Sequence, residues 1–214
     1  MPTLRLLLFG AATTAALAMA VLALSSAVGL AVAFARLSAA LPIRLALAAL
    51  LVVIRGVPLL VLPISSYFSL PYIGLDVPLY GTAILVMGLY FGAYMAEVFR
   101  SAIGAIPSGQ WDAARSLGMR GWMTAALVIL PQARRIGIAP YLNTALSIVK
   151  NTSLVSAIGG WELAAAGRDW GDRTGDLLIA YLAVAAGYFL LCFPLSRFAA
   201  WAEATQHTSL ASRP

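Results

Sequence analysis

Five long apolar stretches constrain this sequence more than any other feature. They lie at residues 6–35, 46–68, 79–99, 136–158 and 177–198. A helix that crosses the hydrocarbon core of a membrane needs about 20 mostly apolar residues. Because a bilayer offers no water to backbone N–H and C=O groups, a spanning helix satisfies those groups within its own segment. We therefore predict an all-α integral membrane protein with about five transmembrane helices.

The composition agrees with a membrane location. Of the 214 residues, 62% are hydrophobic and only 10% are charged, whereas a soluble domain has about 25% charged residues. The length fits one domain of packed helices, residues 1–214, better than two domains. The first apolar stretch is too long for the apolar part of a signal peptide and lacks a convincing cleavage site, so we expect it to be retained.

The charged and reactive residues argue against several functions. The net charge of +6 is spread among the apolar stretches rather than gathered into one basic patch, which argues against nucleic-acid binding. A single cysteine and a single histidine leave no internal disulfide and no cluster of metal ligands. No glycine-rich segment is followed by Lys-Ser or Lys-Thr, as phosphate binding requires. We expect no catalytic site, metal or bound cofactor in this chain, so ATP would be used by a partner.

The distribution of arginines predicts the orientation. With the N-terminus outside, only Arg5, Arg168 and Arg173 lie on the outer side. The cytoplasmic side then carries Arg36, Arg44, Arg100, Arg115, Arg120, Arg134, Arg135, Arg197 and Arg213. Because cytoplasmic loops are enriched in lysine and arginine, this arrangement is favoured. We predict a bacterial cytoplasmic (inner) membrane protein with its C-terminus in the cytoplasm.

A polar stretch at residues 107–131 interrupts the apolar pattern and predicts a short cytoplasmic helix. Pro107 restricts the residue before it to extended conformations, and Ser108 can act as the N-cap. Asp112 is expected near the positive end of the helix dipole, and Gly118 just past the C-terminus. Ala113, Ala114 and Leu117 share one face, where small side chains let another protein approach closely.

The same stretch carries a family motif. Asp112, Ala113, Ala114, Gly118, Val128, Leu130 and Pro131 reproduce the EAA motif of ABC importer permeases, with Asp in place of Glu and Val in place of Ile. Four further pieces match at residues 55–60, 93–110, 130–135 and 150–154. On these residues the chain resembles type I ABC importer permeases, in the branch for polar amino acids such as histidine, glutamate, glutamine, arginine and opines.

The resemblance implies partners and a coupling site. A second permease subunit, identical or similar, would share the translocation path. Two ATPase subunits would use ATP and Mg²⁺ on the cytoplasmic side, and an extracytoplasmic binding protein would deliver solute. The residues implied in ATPase coupling are Ser108, Gly109, Asp112, Ala113, Ala114, Leu117 and Gly118.

Polar residues within the apolar stretches are candidates for the substrate path or gate. Burying Lys150, the sole lysine, costs about 2.5–3.5 kcal/mol on insertion scales, so it should face protein or water. It is either a structural anchor or part of the path, and Asn151 and Ser153 would add hydrogen-bonding groups beside it. Glu97 lies on one face with Tyr94. It either pairs with Arg100 at the surface or ties the third span to the coupling region.

Two questions stay open from the sequence. Glu162 either meets the cationic part of a substrate near the outer mouth or is an ordinary loop carboxylate. Val57 replaces the threonine that is usual in the family, and Leu62 and Pro63 occupy the area of its usual glutamine, which argues against a simple assignment to one amino acid. The alternative substrate is an ectoine-like compatible solute or another small zwitterion, which much the same scaffold would carry. A membrane enzyme would show clustered His, Asp or Glu within the spans. A passive channel would not need a capped helix with the EAA pattern.

Overall fold

In the computed structural model, the apolar stretches form long helices. The structure describes residues 2–38 and 40–211, and it describes the side chains of residues 3–37 and 40–204. Among these residues there is no strand, which confirms the all-α prediction. Arg213 lies outside the described residues. The helices are α1 (Pro2–Ser38), α2 (Leu41–Gly56), α3 (Val61–Ser69), α4 (Leu79–Gly104), α5 (Ser108–Ser116), α6 (Gly121–Thr124), α7 (Leu130–Asn151), α8 (Leu163–Thr174) and α9 (Leu177–Ala211). Short helical segments of other types follow three of them: 3₁₀ helices at Leu70–Ile73 and Thr152–Ile158, and a π-helical turn at Ala125–Ile129.

The pair α1–α4 forms the centre of the fold. Glycines allow the two helices to approach closely: a Cβ atom added at Gly88 would lie 2.5 Å from Leu24, and one at Gly92 would lie 2.7 Å from Val28. Such close approach through small residues is how membrane helices gain packing without a hydrophobic drive between them. This pair therefore provides the frame against which α7 and α8 pack.

The second predicted span is wrong as a single helix. The structure breaks residues 46–68 between α2 and α3, and the two helical segments are bent by 98°. Pro58 explains the break, since it forces Val57 into an extended conformation (φ −88°, ψ 133°) and donates no backbone hydrogen bond. Leu59, next to this bend, is buried in the central core.

The fourth predicted stretch is helical over a different range. It forms α7, which begins at Leu130, continues through Pro140 and ends at Asn151. Proline is tolerated inside membrane helices because neighbouring groups satisfy the freed backbone. Residues 161–176, between the fourth and fifth apolar stretches, are also mostly helical, since they contain α8. A Cβ atom at Gly171 would lie 2.7 Å from Leu177, so α8 packs tightly on α9.

Length and composition identify three or four candidate membrane spans among the described residues. Within the described residues, three helices are long and apolar enough to cross a membrane, namely Thr3–Leu37, Leu79–Gly104 and Leu177–Ala204. The bent pair α2–α3 would be a fourth. The 22-residue α7, which carries two arginines and a lysine, is not among them. Five spans therefore stay a prediction.

Candidate coupling helix and polar cleft

The C-terminal end of α5 has the geometry that its sequence predicts. Gly118 adopts a left-handed conformation (φ +73°). Its N–H donates to the carbonyl of Arg115 (2.9 Å), and the N–H of Met119 donates to the carbonyl of Ala114 (3.1 Å). These two bonds form a Schellman motif, which satisfies the last carbonyls of the helix. The predicted conformation of Gly118 is confirmed.

The N-terminal end of α5 differs from the prediction. Pro107, not Ser108, flanks the helix, and no side chain caps it. Ser108 is already the first helical residue because the helix begins one residue earlier than a serine cap would require. Asp112 consequently lies beyond the first turn, where it bonds Arg115 (2.8 Å) in an exposed pair. The helix dipole therefore stabilises the Asp112 carboxylate little, since its effect fades after one turn.

The face predicted for docking is divided between the interior and the surface. Ala114 is only 4% exposed, so it belongs to the packing of this chain rather than to a surface for a partner. The prediction that Ala114 is presented to a partner is therefore wrong. Leu117 is 81% exposed, Ala113 and Gly109 are also exposed, and a side chain added at Gly109 or Gly118 would meet open space.

A joint links α5 to α7. Trp111 of α5 packs on a core that contains Ala102 and Ile129. The amide of Gln132 in α7 donates to the side chain of Gln110 in α5 (3.3 Å). Between the two helices lies the π-helical turn Ala125–Ile129, just before Pro131, which can donate no backbone bond. The motif residues from Val128 to Pro131 therefore form the connection between α5 and α7.

A polar cleft of about 360 Å³ lies between α4 and α7. It is lined by Leu59, Tyr90, Phe91, Tyr94, Asn143, Thr144, Ser147 and Asn151. Asn143, Ser147 and Asn151 recur at four-residue intervals, which places them in one row along α7. The hydroxyl groups of Tyr90 and Tyr94 are 3.2 Å apart and share a hydrogen bond. The lining thus combines amides, hydroxyls and aromatic rings, without a charged side chain among the described residues.

The predicted path residues fall in different places. Tyr94 and Asn151 line the polar cleft, whereas Lys150, Ser153, Glu97 and Glu162 do not. Lys150 is exposed on the last turn of α7, and the hydroxyl of Ser153 donates to its carbonyl (2.9 Å).

Glu97 joins two helices near the α5 side. Its carboxylate accepts from Arg36 of α1 (2.9 Å) and also pairs with Arg100 one turn along α4. The pairing with Arg100 is confirmed, and the bond to Arg36 is an additional tie between α1 and α4. Because the group is half-buried, the cluster fixes the relative position of these helices more firmly than a fully exposed pair would.

Glu162 is the buried N-cap of α8, a role that the sequence analysis did not predict. It is 0% exposed, and its two carboxylate oxygens accept from the N–H groups of Ala164 and Ala165, both at 2.8 Å. The hydroxyl of Tyr188 in α9 donates to it at 2.7 Å. The positive end of the α8 dipole also favours a carboxylate here. Glu162 therefore stabilises the start of α8.

The sequence analysis missed Tyr90, Asn143, Thr144 and Ser147. The signal was present in two patterns: the repeat of Asn143, Ser147 and Asn151 at intervals of four, and two tyrosines in α4 at the same interval. Each pattern predicts a polar row on one helix face. That the two rows face each other is evident only from the tertiary structure.

Comparison with known protein families identifies this architecture. Residues 25–206 match the model of the family described as "binding-protein-dependent transport system inner membrane component". The chain belongs to this family. The match covers α4, α5 and α7, which form the candidate coupling helix and the polar cleft.

Two permeases of Bacillus subtilis are among the proteins to which this chain is similar. A probable amino-acid ABC transporter permease of Bacillus subtilis, YckA, is 39% identical over 64% of this chain and 61% of its own length. The L-cystine transport system permease TcyB of the same organism is 38% identical over 67% of this chain and 62% of its own length. The chain thus aligns with somewhat less than two thirds of each of these relatives.

Solved structures show the same fold. The structure of an amino acid ABC transporter with histidines matches with a TM-score of 0.86 at 30% identity, over 94% of both chains. An inward-facing structure of the methionine ABC transporter MetNI matches with a TM-score of 0.75 at 19% identity, over 94% of this chain and 98% of that one. The predicted type I ABC importer permease fold is therefore confirmed for this inner membrane component.

Proposed function

We propose that this chain is the permease subunit of an ATP-driven ABC importer that carries polar amino acids across the bacterial inner membrane. The observation that carries the proposal is the mechanical connection from α5, through the π-helical turn, to the helix that lines the polar cleft. The relatives support it, since they are named as amino-acid and L-cystine permeases.

The exposed residues of α5 are the docking surface for the ATPase. Leu117, Ala113 and Gly109 project away from the body of the permease, and the Schellman motif at Gly118 fixes where the helix ends. When two ATPase subunits close on ATP and Mg²⁺, each docked α5 moves with its ATPase. The partners are accordingly a second permease subunit, two ATPases and an extracytoplasmic binding protein.

The joint between α5 and α7 transmits this movement. The Gln132–Gln110 bond and the packing of Trp111 keep the start of α7 in contact with α5. Movement of α5 therefore reorients α7 relative to α4, on which Glu97 and Arg36 hold α1 in place. Because the polar cleft lies between α4 and α7, its opening changes. In the N-terminus-outside orientation, this switches the cleft between the two sides of the membrane.

The lining of the polar cleft suits a small zwitterion. Asparagine amides and hydroxyl groups both donate and accept hydrogen bonds, so they can meet an ammonium and a carboxylate of the same solute. Two tyrosine rings offer an apolar or cation-binding surface beside them. A single fixed charge would favour one half of a zwitterion over the other, and the described lining has none.

The test is the ATPase activity of the reconstituted transporter, formed from this permease, its ATPase and its binding protein. Stimulation by a polar amino acid is the expected result. Stimulation by ectoine-like solutes alone would keep the mechanism and change the substrate. An assembled complex that no solute stimulates would overturn the amino-acid assignment, and solute flux without ATP would overturn the importer function itself.

A further inference from the structure

A second cleft, which we call the apolar cleft, lies on another side of the helices that form the polar cleft. It has a volume of about 280 Å³ and is bounded by α1, α4 and α7. In α4, Tyr94 of the polar cleft and Phe99 of the apolar cleft are five residues apart, about 140° around a helix. In α7, Ser147 and Arg134 are thirteen residues apart, again about 140°. The two clefts are therefore separate sites.

Small residues make the apolar cleft deep. Ala102 and Ala133 are 6% and 4% exposed, Gly137 is buried, and a Cβ atom added at Gly137 would lie 3.1 Å from the Cβ atom of Ala102. At the rim, Leu30 and Phe34 are 45% and 49% exposed. A hollow with an apolar floor and an apolar rim gains dispersion contacts when an alkyl chain fills it.

Arg134 is the one charged residue in this lining. It lies one turn into α7, on the α5 side of the molecule, and its side chain is exposed. Arg36, Arg100, Arg115 and Arg173 each have a carboxylate partner, whereas no described carboxylate pairs with Arg134. A guanidinium at the membrane boundary, beside a hollow between helices, matches a lipid phosphate in charge and geometry.

We propose that the apolar cleft holds an acyl chain of an anionic phospholipid from the leaflet on the α5 side, with its phosphate bound by Arg134. A lipid fits better than a protein because Leu30 and Phe34 of the rim belong to a helix apolar enough to span the membrane. The rim therefore faces the hydrocarbon region, where lipid is the surrounding solvent. The proposal rests on the membrane location and not on the solute or the direction of transport.

The test is native mass spectrometry of the purified full-length permease, titrated with dioleoylphosphatidylglycerol or dioleoylphosphatidylcholine. The wild type should bind the anionic lipid more tightly. Arg134→Gln should weaken binding of the anionic lipid about fivefold and leave the neutral lipid unchanged, since one arginine near the surface has about that effect. Arg197→Gln is the matched control, because Arg197 is an exposed arginine of α9 that lines neither cleft.

A second variant tests the acyl-chain part. Leu30→Trp places a larger ring at the rim and should weaken binding of both lipids. Equal losses in Arg134→Gln and Arg197→Gln would overturn the proposal, because they would indicate diffuse attraction to the bilayer. So would unchanged lipid binding in Leu30→Trp. A disulfide or cross-link from Leu130→Cys to another protein subunit in the assembled transporter would show that protein covers the cleft, which also overturns it.

Discussion

The starts of α8 and α5 differ in how their backbone N–H groups are satisfied. At the start of α8, the N–H of Leu163 donates to Thr14 and the next two N–H groups donate to Glu162. The N–H of Ala166 then makes the first regular helical bond. Three of the donors that a helix N-terminus usually leaves free are therefore satisfied within the chain. In α5, by contrast, no side chain caps the N-terminus.

The difference separates a structural role from a functional one. Thr14 and Glu162 are fully buried, and their hydrogen bonds join α1, α8 and α9, so a change there costs folding energy. The side chains of Ala113 and Leu117 are exposed to a partner. In the polar cleft, the amide of Asn143 donates to Glu203 and that of Asn151 donates to the carbonyl of Ser147, so the carbonyl oxygen of each amide can still accept from a solute. We therefore expect variants of the first region to lose stability and variants of the second to lose transport while keeping their stability.

The largest expected effect is on stability, from Glu162→Ala. It removes the cap of α8 and leaves the hydroxyl of the half-buried Tyr188 without its acceptor. The free energy of unfolding should fall by about 2–4 kcal/mol. Thermal unfolding of the purified permease measures it. Glu162→Gln, which keeps one acceptor oxygen, should lose less. An Ala variant of normal stability with an altered solute KM would instead place Glu162 in the substrate path.

The next effect is on coupling, from Leu117→Glu. A charge in the centre of the proposed docking surface should weaken binding of the ATPase by about 2 kcal/mol, or roughly 30-fold, with little change in permease stability because the residue is 81% exposed. Co-purification and solute-stimulated ATPase activity measure it. Arg115→Gln is the control, since it lies about 160° away around α5. Normal co-purification of the Leu117 variant would argue that another surface docks the ATPase.

A smaller effect is expected in the polar cleft. Asn151→Leu removes an amide that lines it, so the apparent affinity for the solute should fall about fivefold, as for the loss of one hydrogen bond of about 1 kcal/mol. Transport kinetics in proteoliposomes measure this change. Ser153→Ala, two residues along and outside the cleft, is the matched control. Equal KM values for the two variants would show that solute does not contact this face of α7.

The smallest effect is expected for Arg36→Gln. Arg100 still pairs with Glu97 in this variant, and a half-buried ion pair contributes about 0.5 kcal/mol. The midpoint of thermal unfolding should fall slightly, and the difference from wild type should shrink at high salt. A large loss of transport at unchanged stability would instead make this cluster a moving part of the mechanism.

Local features of the fold were predictable because they depend on neighbouring residues. The left-handed Gly118 follows from the need for φ > 0 at the end of a short helix. The start of α4 at Leu79 and of α9 at Leu177 follows from where apolar runs begin. The prediction of Ser108 as the cap was wrong by one position. The helix begins at Ser108 itself, and Pro107 precedes it.

Features that depend on distant residues were not predictable. The role of Glu162 as a cap was not predicted, because it depends on where α8 begins and on the hydroxyl of Tyr188, which is 26 residues away. Ala114 was predicted to face a partner but is buried. Which face of α5 packs inward depends on where α6 and the π-helical turn lie, and the sequence of α5 alone does not determine this. The polar row of α7 becomes a cleft only opposite Tyr90 and Tyr94 of α4.

The sequence by itself determined an all-α membrane protein with a short polar helix of the ABC importer type, since apolar length and a spaced motif are local properties. The tertiary structure decided which polar residues are structural and which are available. That choice depends on the burial of each group and on partners many residues away. Two glutamates with similar expectations, Glu97 and Glu162, therefore have different surroundings: one joins two arginines, and the other caps a buried helix.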